Sequence, residues 1–365
     1  MFNLKNEQIK LILYFFYVFI FLYFTTDSLS LYDLIYTANQ SDIVSFYEIA
    51  KKSPELATKS DIIAKHDAQR FLVPYTIGFI SYLTDFNLFK LYKIINLIFV
   101  TLSLILIFFL TNKLKLDFRS SIVFFSLFFF NPYTIRYGIF NPIQVHDMIF
   151  FISAFLIGYG IIFERKKTTF FFSLFSLFLR QTAIAYIIGI IVLFLLNNKK
   201  FGKKILYLYL ILVILSFYVI IQVGEIMSTS SFPISNAYNL FFYDFSKFEE
   251  LFRFLVLPLV SFTPIFLVFL AKKKIKIDLK VILIFFICLM MIAQPILGGP
   301  LNSGRNVVRI ASLCYPLLLI GVFYLLDFSY LLKKNYVFYS LMIFFHLWSL
   351  HPTFSKIEFF GFLRF

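Results

Sequence analysis

Cysteine is nearly missing from this chain: Cys288 and Cys314 are the two present, and both lie inside apolar runs. There is therefore no disulfide framework and no cysteine spacing of the kind that holds a metal, and the redox compartment is left open. Charge is scarce too. Asp, Glu, Lys and Arg supply 15% of 365 residues against 61% hydrophobic ones, a balance that no water-soluble globule of this size could hide from solvent. No small-residue cleavage site follows the first apolar run at 9–25, and bulky residues continue through "FTTDSLSLYDL", so the run reads as a retained signal anchor. No Pro/Gly/Ser-rich linker, soluble terminal domain, fixed-period repeat or two-half symmetry stands out. These absences leave an all-α polytopic membrane protein, with 1–365 forming one transmembrane domain.

A net charge of +15 would point to nucleic acid in a soluble protein. Here the lysines fall in short clusters between apolar runs: "ERKK" (164–167), "NNKKFGKK" (197–204), "AKKKIK" (271–276) and "LLKKN" (331–335). They read as cytoplasmic anchors among membrane lipids, with no nucleic-acid partner. The 55 phenylalanines fit nucleotide bias in the coding sequence and carry no functional meaning by themselves.

A spanning helix needs about 20 mostly apolar residues. Eleven candidate spans follow, at roughly 9–26, 92–112, 119–132, 147–163, 168–180, 182–197, 204–223, 251–271, 279–297, 308–327 and 335–350. The piece "FLVPYTIGFISYL" (71–83) is too short for a comfortable span and contains Pro74 and Gly78. Reading it as a re-entrant or interfacial helix, with the N terminus cytoplasmic, puts "TNKLKLDFR" (111–119) and all four lysine clusters inside. The outside then receives 27–91 as a first outer loop, then 133–146, 180–182, 224–250, 298–307 and the tail from His351.

Those outer segments gather the unusual side chains. "SDIVSFYEIAKK" spaces Asp42, Phe46, Ile49 and Ala50 for one amphipathic helix. Asp42 is either a cap on that helix or a carboxylate held beside an apolar wall, where its basicity can rise. "KHDAQRFLVPY" sets His66, Asp67, Gln69 and Arg70 just before the short helix. They form an interfacial collar, or else Arg70 and His66 reach a phosphate while Asp67 orients His66. In the next outer loop Arg136 and the pair His146–Asp147 stand near the mouth of a span, where they read as interfacial residues or, with Pro132 and Pro142 shaping the loop, as part of a built surface. Arg180, closely flanked by apolar residues, belongs to an outer turn "RQT" or to one long kinked helix with a buried arginine. Finally, "GGPLNSGRNVVRIASLCYPLLL" carries Arg305 and Arg309 four apart, on one helix face. Guanidinium groups match phosphate oxygens bidentately, so arginines on the side without lysine clusters read either as ordinary headgroup binders at the outer surface or, favoured by that asymmetry, as a phosphate site.

In order and placement these features resemble the GT-C superfamily of integral-membrane glycosyltransferases. The first helix is followed by an outer loop with Asp42, Tyr47 and Ala50 in a "D…Y…A" context, then by "QRFLVPY" (69–75), similar to the family's Arg-aromatic-Pro lead-in to a helix. Asp147 opens a helix after the second outer loop, and "GRNVVRIASLCYPLLL" looks like the family's arginine segment before a Pro-bearing helix. The chain departs from the pattern in lacking a carboxyl-terminal soluble domain and a strict Asp-Asp or Asp-Glu pair, with Glu48 and Asp61 the nearby acids.

The resemblance implies transfer of a sugar from a polyprenyl-phosphate donor to a hydroxyl on a lipid or glycan acceptor, at the outer face and with inversion. Asp42 would be the base, with Asp67 and Asp147 next in line, and Arg305, Arg309 and Arg70 would meet the donor phosphate. His66, His146 and Arg180 would line the substrates. No resident metal or cofactor is required, although His146 and Asp147 could bind a divalent cation. A bacterial inner membrane is the expected location. Rival expectations are a transporter or flippase, favoured by charges at mid-membrane, a polymerase or ligase of lipid-linked polysaccharide, and a purely structural membrane protein.

Overall fold

The computed structural model describes residues 6–28, 30, 41–58, 63–196, 203–228, 262–270, 278–297, 307–325 and 332–350. They form helices α1 (Asn6–Thr25), α2 (Ser41–Lys52), α3 (Lys65–Ala68), α4 (Leu72–Thr84), α5 (Leu88–Lys113), α6 (Phe118–Phe129), α7 (Tyr137–Phe140) and α8 (Val145–Ile162). Next come α9 (Lys166–Leu177), α10 (Ile184–Leu196), α11 (Lys203–Met227), α12 (Thr263–Leu270), α13 (Leu279–Leu297), α14 (Val307–Ser312), α15 (Tyr315–Leu325) and α16 (Asn335–Ser349). There is no β-strand among the described residues.

Asn6–Thr25, Leu88–Lys113, Pro142–Ile162 and Lys204–Met227 are long and apolar enough to cross a membrane. The chain is an all-helical membrane protein. The other apolar helices are shorter, so eleven spans are not reached by length among the described residues. The expected span 308–327 is broken into α14 and α15 just before Pro316, and most of 251–271 lies outside the described residues.

Helix boundaries follow local chemistry. Asn87 caps α5 by accepting the Lys90 N–H (3.0 Å), and Asp117 caps α6 by accepting that of Ser120 (2.8 Å). α4 ends where Asp85 turns left-handed, at φ 51°. The phenylalanines build the core: Phe15 stacks on Phe125 at 3.9 Å between centroids, Phe125 on Phe129 at 4.2 Å, and Phe124 meets Phe323 edge-on at 4.9 Å. At the centre stands α8, packed against α5, α9 and α15. In the most apolar 18-residue stretch of the span containing it 78% of the residues are buried, against 17% in that of Lys204–Met227, which leaves most of its surface exposed.

Contacts between distant loops sort the helix ends into two groups. At one end Lys280 Nζ meets Glu164 at 3.0 Å and the Ile162 carbonyl at 3.1 Å, while the Tyr324 hydroxyl donates to Asp278 at 3.4 Å. The start of α6 belongs there too, because Phe124 and Phe128 pair with Phe155 and Phe151 of antiparallel α8. From that start Arg119 donates to the carbonyls of Leu332 (2.6 Å) and Lys333 (2.8 Å) and to Asn335 Oδ1 (2.6 Å). α11 begins at this end as well, since Glu225 near its other terminus meets Lys65 (3.8 Å). The described parts of the lysine clusters thus share one end of the bundle, and "AKKKIK" lies outside the described residues.

The opposite, arginine end is closed by shorter pieces. Gly78 of α4 lies so close to α2 that a Cβ there would sit 1.9 Å from the Ala50 carbonyl oxygen. The Tyr75 hydroxyl donates to the Pro54 carbonyl (2.7 Å), and that of Tyr92, early in α5, points to the Phe46 carbonyl (3.4 Å). α4 therefore begins and ends on the same side of the bundle. The segment 133–146, expected as an outer loop, is instead largely buried. Asn96 donates to the Gly138 carbonyl (2.8 Å), and the Thr134 hydroxyl bonds the Phe128 carbonyl.

Arg136 is fully buried, not interfacial. Its guanidinium donates to the hydroxyls of Thr26 (3.0 Å), Thr25 (3.0 Å) and Ser349 (3.3 Å). Those hydroxyls donate in turn to helix carbonyls, so the cation rests at the carboxyl ends of α1 and α16, where the helix dipoles are negative.

Candidate functional site

Six charged side chains far apart in sequence meet at the arginine end. The amphipathic spacing of "SDIVSFYEIAKK" gives α2, which buries Ile43, Phe46, Ile49 and Ala50 and leaves Asp42 in its first turn. There Asp42 Oδ2 accepts from Arg309 Nη2 (3.2 Å) and from Gln144 Nε2 (3.5 Å). Arg309 also donates from Nη1 to the Tyr137 hydroxyl (2.6 Å), and its guanidinium carbon lies 5.2 Å from the centre of that ring. Its Nε is 3.8 Å from Asp147 Oδ2. Asp147 in turn takes Arg180 on Oδ1, at 2.5 Å from Nε and closer still from Nη2.

Arg180 stands in extended backbone between α9 and a 3-10 turn at Gln181–Ala183. The turn reading therefore holds, yet the side chain is buried. Extended geometry frees it from a helix face and lets it reach α8. Beside it Gln181 accepts from Arg70 Nε (2.9 Å) and donates to the His66 carbonyl (2.7 Å) and to Gln69 Oε1 (3.1 Å). That amide fastens the 66–70 segment to the Arg180 turn.

Asp67 is fully buried, with His66 Nε2 at 3.3 Å, Arg70 Nη1 at 3.9 Å and the Ser45 hydroxyl against it. The His66 ring is about half exposed, at 53%, so this pair connects solvent to a buried carboxylate. His146 is buried under the Phe46 ring (4.6 Å, edge-on), and its Nε2 lies 3.4 Å from Asp147 Oδ1 without forming a hydrogen bond. Of the nine residues expected from sequence, Asp42, Asp67, Asp147, Arg70, Arg309, His66, His146 and Arg180 are brought into this one cluster, and Arg305 lies outside the described residues. Tyr137, Gln144 and Gln181 were not anticipated. No periodicity marks them, and nearness to Arg136, His146 and Arg180 was the only signal available.

Two of the carboxylates differ electrostatically. Burial pushes the Asp42 carboxyl up, but the Arg309 and Arg70 guanidiniums outweigh it and hold the group well below the usual carboxylate range. Asp67 goes the other way: burial outweighs the pull of Arg70 and His66, the Asp42 charge opposes ionisation, and the carboxyl is raised.

Such a constellation is expensive, because each buried ion gives up several kcal/mol of hydration, on the order of what a good pair returns. The hydrogen bonding is also incomplete. Gln144 Oε1, His146 Nε2, Asp147 Oδ2 and Arg309 Nε are buried without hydrogen-bond partners. Unspent donors beside unspent acceptors are a feature of sites that exchange partners more than of cores that only pack. Among the described residues no three His, Cys, Asp or Glu side chains gather as ligands, and Asp42 and Asp147 already face guanidiniums.

The fold and the site together define a helical membrane protein with a buried arginine–aspartate centre at one end. Compared with known protein families, curated proteins and solved structures, the chain matches none of them significantly.

Proposed function

We propose that the chain is a GT-C-like membrane glycosyltransferase, moving a sugar from a polyprenyl-phosphate donor to an acceptor hydroxyl at the arginine end. The observation that carries this reading is the convergence of Asp42, Asp67 and Asp147 with Arg70, Arg180 and Arg309 at the end opposite the lysine loops. With the positive-inside rule, the lysine end and the N terminus are cytoplasmic and the site faces outward, in a bacterial inner membrane. A lipid phosphate then lies at the depth of the guanidiniums while its chain lies along the apolar helices. About eleven spans with α4 as the interfacial helix complete the architecture.

In the reaction the acceptor oxygen attacks the anomeric carbon as the bond from that carbon to the phosphate oxygen breaks. The electron pair leaves with polyprenyl phosphate, the acceptor proton passes to a carboxylate, and the configuration inverts. The arginines stabilise charge growing on the leaving phosphate. Asp42 serves as the base, and Asp67, raised and joined to solvent through His66, is next in line. His146 and Asp147 line the acceptor side. A lipid or glycan acceptor fits a site closed by the first loop.

The test is transfer of radiolabel from a panel of polyprenyl-phosphate sugars in membranes holding matched amounts of wild type, Asp42→Asn or Arg309→Ala. Donor-dependent product in the wild type is expected to fall by about 10²-fold or more in each variant. A variant at wild-type rate removes that residue from its role. The same buried ion pairs also suit a flippase, for which label would change leaflet without changing its chemical form.

A further inference from the structure

Arg309 is the hub of the cluster, yet its best binding edge is poorly used. The side-on edge of a guanidinium, Nε with Nη2, forms a parallel fork that suits two oxygens of one anion. In Arg309 that edge is split between two helices: Nη2 takes Asp42 Oδ2 at 3.2 Å, and Nε stands 3.8 Å from Asp147 Oδ2. Neither carboxylate is bidentate. Both Arg309 Nε and Asp147 Oδ2 are buried and lack a hydrogen bond. Meanwhile the Tyr137 hydroxyl holds Nη1 at 2.6 Å, so the guanidinium is already fixed with this edge turned to the two acids.

We propose that Asp42 and Asp147 are internal stand-ins for a lipid-linked phosphate on the side-on edge of Arg309, and that the phosphate binds by exchanging with them. The proposal rests on the glycosyltransferase reading and adds its regulation. Without donor, Arg309 holds Asp42 and the base is occupied. Two oxygens of one phosphate complete the fork that two separate carboxylates fill badly, and Asp42 is released next to the bound donor. Asp147 keeps Arg180, which restrains it while Arg309 changes partner. The base is thereby free only when a lipid phosphate occupies this edge of Arg309.

An exchange of this kind makes a counterintuitive demand: removing a carboxylate must tighten phosphate binding. Affinity is measured on full-length protein in detergent, with farnesyl phosphate as the lipid probe and inorganic phosphate in a parallel arm. Asp42→Asn is expected to lower the farnesyl phosphate Kd by about fivefold or more, the scale of an ordinary coupling between two ligands. Asp147→Asn should tighten it too, and Arg309→Ala should abolish binding. Glu48→Gln makes the same charge change on α2 away from Arg309, its partner being Lys51 at 3.9 Å, and is expected to leave Kd unchanged. Tightening for both probes assigns the edge to phosphate itself, whereas tightening for farnesyl phosphate alone requires the lipid. If Asp147→Asn does not elute as folded protein, Asp42→Asn with its Glu48→Gln control decides alone.

An unchanged or weaker affinity in Asp42→Asn overturns the exchange, as does equal tightening in Glu48→Gln or no binding in any variant. The parent reading fails separately. Sugar transfer without tightening in Asp42→Asn sinks the exchange alone, and tightening without transfer from any donor sinks the enzyme reading while the phosphate site stands.

Discussion

At the lysine end Lys280 meets Glu164 with side chains 26% and 51% exposed, whereas at the arginine end Arg180 meets Asp147 with both almost fully buried. Both are salt bridges, yet water shares the first and is excluded from the second. Lysine, with one compact charge on a flexible stem, can keep its head in solvent while its carbons lie along apolar helix ends. Arginine presents a rigid fork, is less strongly hydrated, and survives burial if its donors are met. The positive charge of this chain therefore does two jobs: one end is anchored by it and the other is built around it.

The largest effect should come from breaking the buried pair. Arg180→Gln leaves Asp147 with the 3.8 Å contact to Arg309 and His146 at 3.4 Å, and is expected to cost about 3–5 kcal/mol, read as a lowered thermal midpoint in detergent. Adding Asp147→Asn should recover most of that loss. If the double variant stays as unstable as the single one, packing and not charge holds this end.

Next in size is a steric prediction. Gly78→Ala must push α4 away from the Ala50 backbone and is expected to cost about 1–3 kcal/mol. Gly158→Ala in the core meets the side-chain tips of Ile320, at 2.8 Å, and Leu317, at 3.1 Å, which can rotate aside where backbone cannot, so its loss should be smaller. Equal losses would mean that α2 and α4 are not held in backbone contact.

A pH comparison sharpens the site internally. The folded-state pKa of Asp42 is depressed, so its contribution is complete above the ordinary carboxylate value of about 3.9 and is lost as pH falls through the folded value. For Asp67 the folded value is raised. The native state keeps that proton where the unfolded chain has lost it, and stability falls as pH rises from the ordinary value through the raised one. At neutral pH Asp42→Asn should therefore destabilise and Asp67→Asn should be neutral or stabilising. The opposite order would reverse the two assignments. The smallest effect belongs to Lys280→Gln, expected to stay within about 1 kcal/mol because solvent screens that pair. A loss matching that of Arg180→Gln would erase the distinction between the ends.

Much of this arrangement was legible in the sequence because it is local. α2 runs over Ser41–Lys52 as its apolar spacing predicts, the lysine runs mark one end, and Pro74 with Gly78 marks a helix too short to cross. What escaped notice depends on distant partners. Arg136 looked like an interfacial residue because the hydroxyls of Thr25, Thr26 and Ser349 lie more than a hundred positions away, on α1 and α16. The 133–146 segment looked like an outer loop because polar residues in it read as exposed, when their bonds are in fact made inside. α8 is apolar nearly all round, so periodicity could not reveal that it is the central helix.

The most direct test of the central claim uses a photoreactive polyprenyl phosphate, with crosslinked peptides mapped by mass spectrometry. The lysine end supplies a fair competitor, a cavity of about 240 Å³ lined by Gly160, Lys166, Thr169, Leu193 and Lys280. The account predicts adducts concentrated in 137–147, 180–186 and 307–315, displaced by unlabelled lipid phosphate and lost in Arg309→Ala. Adducts at 160–170 and 278–280, or labelling that Arg309→Ala leaves intact, would contradict it.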